Sequence, residues 1–383
     1  MKKTWLPWLV AAGLMLSAAW PVPLPAGIKE KALLMTIRMP AGFKISAFAE
    51  NVFGARSMAM GPAGVLFVGT RQMGQVYAIL DQNGDGKADR VTVIADNLNQ
   101  PNGVAVLDGD LYVAEVSRIL RFRQIEGRLD TPGVPEVVYA QYPKELNHGA
   151  KYIRFGPDGK LYVPVGAPCN ACLSDDPVFA TITRLNPDGS AFEIYARGVR
   201  STAGMDWHPR TGQLWFTDNG RDHMGEDLPP DELNRVSMPG EHFGFPYCHA
   251  GTIPDPEFGG TQSCSQFTPP VALLGVHVRA MGMHFYTGTM FPESYREQIF
   301  IAEHGSWNHR RKAGYRLSLV RLRQDKVLSY EPFAEGWLNG ESSWGRPADL
   351  VQMADGSLLV SDDQAGMIYR ISYQSARQGA SRP

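Results

Sequence analysis

The feature that most constrains the fold is a turn followed by a short apolar strand, which recurs along the chain. It occurs six times, as GPAGVLFV (61–68), DGDLYV (108–113), GPDGKLYV (156–163), PRTGQLWF (209–216), YREQIFI (295–301) and ADGSLLV (354–360). Most copies are followed by a second strand-like stretch, such as QVYAI at 75–79 or MIYRI at 367–371. Each copy predicts one blade of antiparallel sheet, and a lone blade cannot bury both of its faces. The repeat therefore predicts an all-β, six-bladed β-propeller.

The spacing of the copies predicts how the chain is divided. Equivalent strand positions lie from 45 residues (66 to 111) to 85 residues (214 to 299) apart. The longest step contains a segment, about Asp218 to His284, that we interpret as an insertion between blades, and long loops inside a compact domain are usually functional. We expect one propeller over residues 41–373, preceded by a linker at 20–40 and followed by a polar tail at 374–383.

The N-terminus has the pattern of an export signal. Lys2 and Lys3 precede an apolar run that ends in the small residues Ser17, Ala18 and Ala19, which predicts a signal peptide over 1–19. A membrane anchor is the alternative, but the run is shorter than the ~20 residues that span a bilayer and a Pro-rich stretch follows. We expect no membrane span in the mature chain and a periplasmic location. A net charge of −2 favours a small polar partner over nucleic acid.

Four cysteines fit an oxidising compartment. They are Cys169, Cys172, Cys248 and Cys264, an even number that predicts two disulfides. Pairing within each neighbouring couple is the simplest of the three possible connectivities. Leu173 stands where a covalent haem motif would require histidine, so we expect no haem. A zinc site is an alternative, although the second couple lacks short ligand spacing.

Several stretches between and within the repeats resemble a known family. They are LNHGAKYIRFGPDG (146–159), RGVRSTAGMDWHPRTG (197–212), LWFTDNG (214–220), DELN (231–234), FGFP (243–246), AEHGSW (302–307), GRPAD (345–349) and LVSDD (359–363). In this order along a six-bladed chain, they resemble the glucose and sorbosone dehydrogenase family of soluble, quinone-dependent sugar dehydrogenases. The stretch at 302–307 is closer to the sorbosone branch. The resemblance implies a dehydrogenase that uses pyrroloquinoline quinone (PQQ) and calcium.

Oxidation of a sugar hydroxyl requires a base beside the quinone, because a proton leaves oxygen while hydride leaves carbon. The resemblance assigns that role to His148, whose ordinary pKa suits proton uptake near neutral pH. PQQ carries three carboxylates, so arginine is the expected partner. The candidates for cofactor contacts are Arg71, Arg200, Asn219, Arg346 and Asp363, together with the Arg221 side chain. Arg71 departs from the family pattern, because the glucose enzymes have a neutral amide there.

Calcium takes oxygen ligands, including backbone carbonyls. The resemblance implies a calcium held by the carbonyls of Gly220 and Arg221, with Asp231 and Glu232 either holding a metal or fixing the loop. Separately, the stretch at 81–89 alternates oxygen-bearing residues as calcium loops do, but it stops short of an EF-hand because Thr92 occupies the twelfth position. A plain turn is the alternative there.

The expected substrate is a sugar or a sugar-derived aldehyde of the aldose or sorbosone type. His304 and Trp307 are the expected substrate-pocket pair, because an aromatic face and an imidazole suit a sugar-like ligand. Electrons would pass to a periplasmic cytochrome or quinone. Six-bladed propellers also serve as calcium-dependent lactonases or as binding modules without catalysis, and fold alone does not separate these functions.

Overall fold

The six predicted blades are present. The computed structural model describes residues 32–307 and 309–375, so the predicted signal peptide at 1–19 and most of the tail lie outside the described residues. Within them, six four-stranded antiparallel sheets account for nearly all regular structure. In blades 1 to 3 the strands follow one another along the chain. Blade 1 contains β2 (Met58–Met60), β3 (Leu66–Gly69), β4 (Val76–Leu80) and β5 (Arg90–Ala95), and blade 2 contains β6 (Gly103–Leu107), β7 (Asp110–Ala114), β8 (Ile119–Phe122) and β9 (Glu136–Tyr139). Blade 3 contains β10 (Arg154–Phe155), β11 (Leu161–Val165), β12 (Thr181–Leu185) and β13 (Glu193–Arg197).

Blades 4 to 6 carry the insertions and the ring closure. Blade 4 contains β14 (Gly204–Trp207), β15 (Leu214–Asp218), β16 (Pro230–Arg235) and β19 (Ala272–Val276). Blade 5 contains β20 (Ala280–Phe285), β21 (Ile299–Glu303), β22 (Arg316–Arg323) and β23 (Lys326–Glu335). Blade 6 contains β26 (Pro347–Gln352), β27 (Leu358–Asp362), β28 (Met367–Tyr373) and the N-terminal strand β1 (Phe43–Ala49). Two small hairpins are β17 (Cys248–His249) with β18 (Ile253–Pro254), and β24 (Leu338–Asn339) with β25 (Ser342–Ser343). Three-residue 3₁₀ helices lie at Ile125–Gly127, Cys264–Gln266 and Glu293–Tyr295.

The expected position of the long insertion was wrong. The insertion lies between β16, the third strand of blade 4, and β19, its fourth strand, so it interrupts that blade instead of separating two blades. The insertion is held to itself by the Cys248–Cys264 disulfide, and Cys169 pairs with Cys172. The predicted neighbouring pairing of the cysteines is thereby confirmed. Among the described residues, no helix is long and apolar enough to cross a membrane.

The core consists of six apolar clusters, one in each interface between neighbouring blades. Leu66 and Val68 of β3 pack toward blade 6, whereas Phe67 between them packs toward blade 2. The second strand of every blade alternates in this way. Side chains of a strand point alternately to opposite faces, and here both faces are buried. That is why the repeated motifs are continuous apolar runs.

Candidate active site

Two adjoining cavities lie where the inner strands of the blades begin. The first has a volume of about 350 Å³ and the second about 460 Å³. They share three wall residues, Arg56, Arg71 and Arg279. In an antiparallel blade the first strand begins at the end where the second strand finishes. Residues just before first strands and just after second strands therefore converge on one end of the ring.

His148 lies in the wall of the first cavity, on the loop before β10. Its Nδ1 lies 2.8 Å from the carbonyl oxygen of Ala167. A carbonyl can only accept, so Nδ1 carries the proton and Nε2 remains an acceptor. Burial, reinforced by the charge of Arg200, lowers the pKa of His148 to about 4. The imidazole is therefore neutral and able to take a proton at Nε2.

The backbone at His148 is in the left-handed region, with φ of 47°. This conformation is uncommon for a residue with a side chain, although histidine adopts it more readily than most. The neighbouring Gly166 permits it, because a Cβ on Gly166 would lie 2.5 Å from the Cβ of His148. The sequence thus places a glycine where the histidine loop approaches β11.

The shared wall between the cavities is strongly cationic. Arg56 donates to Asp363 at 2.9 Å and to Asn102 at 3.2 Å, and Arg71 donates to Gln100 at 3.4 Å. Among the described residues, no hydrogen bond or ion pair engages the guanidinium of Arg279. Burial, together with the charges of Arg56, Arg346 and Arg71, lowers the pKa of Arg279 to about 9. This wall would be stabilised by an anion in either cavity.

Arg200 and Asn219 complete the other side of the first cavity. The guanidinium of Arg200 donates to the carbonyl of Asn219 at 3.1 Å and pairs with Asp222 at 3.2 Å. Asn219 in turn donates from Nδ2 to the carbonyl of Ala280 at 2.6 Å, which joins blade 4 to blade 5. The arginine is buried and fixed before any ligand binds.

The residues expected near calcium are divided between two places. Gly220 and Asp231 border the first cavity, and Asp231 accepts from the backbone N–H groups of Gly220 and Ala280 at 3.0 and 2.9 Å. Burial raises the pKa of Asp231 to about 7. Glu232, on the opposite face of β16, accepts from Asn234 and from the backbone of Ala250. Among the described residues, no group of three or more His, Cys, Asp and Glu could hold a metal by itself.

The second cavity brings together His304, which was expected in the substrate pocket with Trp307, and Asp363, which was expected at the cofactor. His304 Nε2 lies 2.8 Å from Asp363, which also accepts from Arg56. Burial alone would raise the pKa of Asp363, but His304 and Arg56 outweigh it and lower the pKa. Arg346 donates to the carbonyls of His304 and Gly305 at 2.9 and 2.6 Å.

Comparison with known proteins decides the family. The sequence model of a domain of unknown function, DUF7133, matches residues 29–373. The chain belongs to the DUF7133 family. An uncharacterized protein of Borreliella burgdorferi is 31% identical to it over 362 residues, covering 91% of this chain and 93% of the relative.

Solved structures similar to this DUF7133 protein share its fold. A calcium structure of a Trichoderma reesei carbohydrate-active enzyme of family AA12 has a TM-score of 0.74 at 18% identity, covering 88% of this chain and 97% of that one. The holo PQQ domain of Coprinopsis cinerea pyranose dehydrogenase has a TM-score of 0.73 at 17% identity, with coverages of 88% and 97%. PQQ-bound aldose sugar dehydrogenase of Streptomyces coelicolor has a TM-score of 0.65 at 21% identity, with coverages of 88% and 100%. At these identities the likeness is one of fold.

The DUF7133 structure brings most of the sequence-predicted residues to the two cavities. The first cavity is bordered by Arg71, His148, Arg200, Asn219, Gly220, Asp231 and Trp307, and the second by Arg71, His304, Arg346 and Asp363. The Arg221 side chain borders neither, because its guanidinium pairs with Asp255 of the insertion. Asp362, the neighbour of Asp363, is buried and accepts the backbone N–H of Arg346 at 2.9 Å. Hence Asp363 is the aspartate that faces the cavity.

Arg56 and Arg279 are the residues that sequence reasoning missed. Neither lies in a stretch that resembles the sugar dehydrogenases. A positional signal was available, since Arg56 comes shortly before β2, Arg279 immediately before β20 and Arg346 immediately before β26. An alignment of the first strands of the blades, instead of the second strands, would have found them.

Proposed function

We propose that this protein is a PQQ- and calcium-dependent oxidoreductase that oxidises a sugar or a sugar-derived aldehyde in the periplasm. The observation that carries the proposal is that His148 is neutral and its Nε2 is free to accept a proton. This histidine lies in the same cavity as the arginine wall of Arg56, Arg71 and Arg279. Structures of the same fold include a holo PQQ domain of a pyranose dehydrogenase and a PQQ-bound aldose sugar dehydrogenase. The two disulfides are consistent with an oxidising compartment.

The cationic wall fits a ligand with several carboxylates. Arg71, Arg279 and Arg346 have no carboxylate partner within salt-bridge distance among the described residues. Arginine offers planar, permanently charged donors that match a carboxylate. A ligand with three carboxylates would neutralise these groups, and it would offset the repulsion that lowers the pKa of Arg279. The donor set of the cavity therefore suits PQQ.

When it is bound, PQQ supplies the electrophilic carbonyl that accepts hydride from the substrate carbon. His148 Nε2 would take the hydroxyl proton of the substrate at the same time, so that both hydrogens leave the substrate. The Ala167 carbonyl holds the ring in the required tautomer. An anion close to Arg200 would also raise the pKa of His148 toward the working pH, because that arginine contributes to its depression.

Calcium would depend on backbone oxygens and on the cofactor. The Gly220 carbonyl and Asp231, which border the first cavity, are oxygen donors that would hold it, and the family resemblance adds the carbonyl of Arg221, a residue that borders neither cavity. Bound there, calcium would polarise a carbonyl as a Lewis acid. Glu232, on the other face of β16, would instead hold the insertion through the backbone N–H of Ala250.

The substrate would enter past Trp307, whose side chain is 65% exposed at the wall of the first cavity. An indole in that position offers a face to a sugar ring. His304 and Asp363 border the adjoining cavity and would contact the far end of the bound ligands. Electrons would leave to a periplasmic cytochrome or quinone.

The test combines cofactor binding with turnover. The purified mature protein is mixed with PQQ and calcium, and its absorption spectrum and dye reduction are recorded with a panel of aldoses and sorbosone. We expect calcium-dependent binding and sugar-driven reduction that EDTA abolishes. His148→Ala should retain binding and lose about 100-fold or more in kcat. His242→Gln, outside both cavities, is the matched histidine control.

Two results would contradict the proposal at different points. If PQQ does not bind to the wild-type protein, the cofactor assignment is wrong. If PQQ binds and His148→Ala turns over normally, the enzyme is a quinone dehydrogenase with a different base.

A further inference from the structure

The segment Ala167–Cys172, which follows β11, contacts both sides of the first cavity. We propose that this segment is a positioning element for the site, that Asn170 within it is the positioning residue for Arg200, and that the Cys169–Cys172 disulfide holds it in place. The functional meaning rests on the proposed function, in which Arg200 binds the cofactor and His148 is the base. The geometry of the contacts does not depend on that assignment.

Asn170 contacts the guanidinium of Arg200 along one edge. Arg200 donates from Nε to the backbone oxygen of Asn170 at 2.8 Å and from Nη2 to its Oδ1 at 2.9 Å. The same Oδ1 accepts from the backbone N–H of Asp222 at 2.9 Å, and Nδ2 donates to the Asp222 carbonyl at 2.9 Å. A single asparagine therefore joins Arg200 to the chain that carries its carboxylate partner.

These bonds leave Arg200 little freedom to choose another geometry. Its guanidinium has five N–H groups, and Asn170, Asn219 and Asp222 engage four of them. Planar two-point contacts of this kind fix direction as well as position. Removing the Asn170 side chain leaves the backbone oxygen that accepts from Nε, but it takes away Oδ1, the acceptor of both Arg200 Nη2 and the Asp222 N–H. The guanidinium would then turn toward the cavity or toward Asp222 alone.

The other end of the segment positions the histidine loop. The Ala167 carbonyl accepts from His148 Nδ1, and the Pro168 carbonyl accepts from Asn147 Nδ2 at 3.2 Å. The backbone N–H of Ala167 donates to the carbonyl of Arg200 at 2.9 Å. One short segment thus holds both groups: the Ala167 carbonyl holds the candidate base and the Asn170 carbonyl holds the arginine.

The disulfide is the covalent restraint on the part of the segment that holds Arg200. Strand β11 ends at Val165. Among the described residues from 166 to 175, Ala167 is the one whose backbone N–H donates a turn or loop hydrogen bond to another backbone group. The Cys169–Cys172 bond closes the chain around Asn170. Both cysteines are half-buried, so a small reductant can reach them. Breaking this bond should release Asn170 without opening a blade.

The experiment measures the exposure of Arg200 directly. The ligand-free protein is treated with phenylglyoxal, and the modification rate of Arg200 is followed by peptide mass mapping relative to the exposed Arg210. We expect about a tenfold or greater rise in this relative rate in Asn170→Ala, because Arg200 Nη2 loses its Oδ1 acceptor. We expect a similar rise in the double variant Cys169→Ser, Cys172→Ser, because the segment that carries Asn170 is no longer closed by the disulfide. Leu173→Ala, at an exposed residue just past the disulfide, should match the wild type.

A second readout, the Kd for PQQ in the presence of calcium, separates this inference from the proposed function. We expect Asn170→Ala to raise that Kd at least about tenfold and to lower the melting temperature only slightly, because two donors lose Oδ1 as an acceptor. If the wild type does not bind PQQ but Arg200 becomes reactive in the variants, the proposed function fails and the positioning role stands. If Arg200 stays protected in both variants, the positioning role is overturned, whatever the cofactor.

Discussion

At the scale of single residues, the close approach of Gly166 to His148 predicts a sensitive position. Gly166→Ala would place a Cβ at 2.5 Å from the Cβ of His148, so the histidine loop must move. A displacement near 1 Å at a catalytic group can lower turnover by about 10- to 100-fold. We expect kcat to fall in dye-reduction assays while the Kd for PQQ changes little.

The control for this substitution is Gly127→Ala, because, its two chain neighbours aside, no atom of the described residues lies within 4 Å of the added Cβ, and its φ is not in the left-handed region. Both variants add one methyl group, so an equal effect on kcat would contradict the role of the His148 contact.

We expect Arg279 to lower the stability of the ligand-free protein and to strengthen binding of the cofactor. Arg279 has no partner among the described residues, and its neighbours repel it. Arg279→Met keeps the length of the side chain and removes the charge. We expect the ligand-free protein to gain about 1 kcal/mol of unfolding free energy, because sites built for ligands often cost stability. The Kd for PQQ should rise by about tenfold or more.

Thermal unfolding with and without PQQ measures both effects in one experiment. A variant that is less stable without ligand would mean that Arg279 is satisfied in the free protein. Arg210→Met, at an exposed arginine, controls for the loss of a surface charge.

The sequence predicted part of this site at the level of residues. Arg200 and His148 lie in stretches that resemble a family, so the motif alone located them. Arg56 and Arg279 lie outside such stretches, and only the convergence of six strand ends brings them to the cavity. A pattern along one strand cannot report which residues of distant blades meet across an axis. The partner of Arg221 was missed for the same reason, since Asp255 is 34 residues away along the chain.

At the scale of elements, the second strand of each blade was predictable because both of its faces are buried. Leu214, Trp215 and Phe216 form such a run, and they pack alternately toward blades 3 and 5. The fourth strand of blade 4, β19, is half-exposed, with buried and exposed residues in no regular order. It therefore carries no clear period, and the insertion was expected between blades instead of within one.

The insertion of blade 4 predicts a measurable role for its disulfide. Cys248 and Cys264 are separated by 16 residues, and a loop of about that size loses roughly 3 kcal/mol of denatured-state entropy when it is cross-linked. Replacing both cysteines with serine should lower the free energy of unfolding by about 2–4 kcal/mol in urea titrations. The spectrum of bound PQQ should stay unchanged, because Asp231 and Gly220 are held by β16 and β20.

Dithiothreitol at neutral pH is the complementary treatment. It should destabilise the wild type and leave the melting temperature of the Cys248→Ser, Cys264→Ser variant closer to its untreated value. An equal loss of stability in both proteins would show that the Cys169–Cys172 bond carries the effect.

At the scale of the whole molecule, the ring depends on a strand from the opposite end of the chain. β1 pairs with β28 from Phe43 with Tyr373 to Ala49 with Ile368, so blade 6 contains both ends of the propeller. Inner strands of neighbouring blades contact one another around the axis, including β2 with β26. The cavities lie where these strands begin, so the candidate site exists only when the ring is closed.

Phe43 is the residue through which this closure can be tested. Its ring makes edge contacts with Phe291, Tyr295, Phe333 and Tyr373 at centroid distances of 4.8 to 5.0 Å. Phe43→Ala should cost about 3–5 kcal/mol of unfolding free energy, from lost burial and the cavity that remains. Phe53→Ala, at a residue 54% exposed, should cost far less.

Because β1 joins the two ends of the ring, we expect Phe43→Ala to unfold in a single urea transition, as the wild type does, when unfolding is measured by tryptophan fluorescence. The midpoint should move to a lower urea concentration while the slope stays unchanged. A separate early transition would mean instead that β1 detaches from a ring that remains closed.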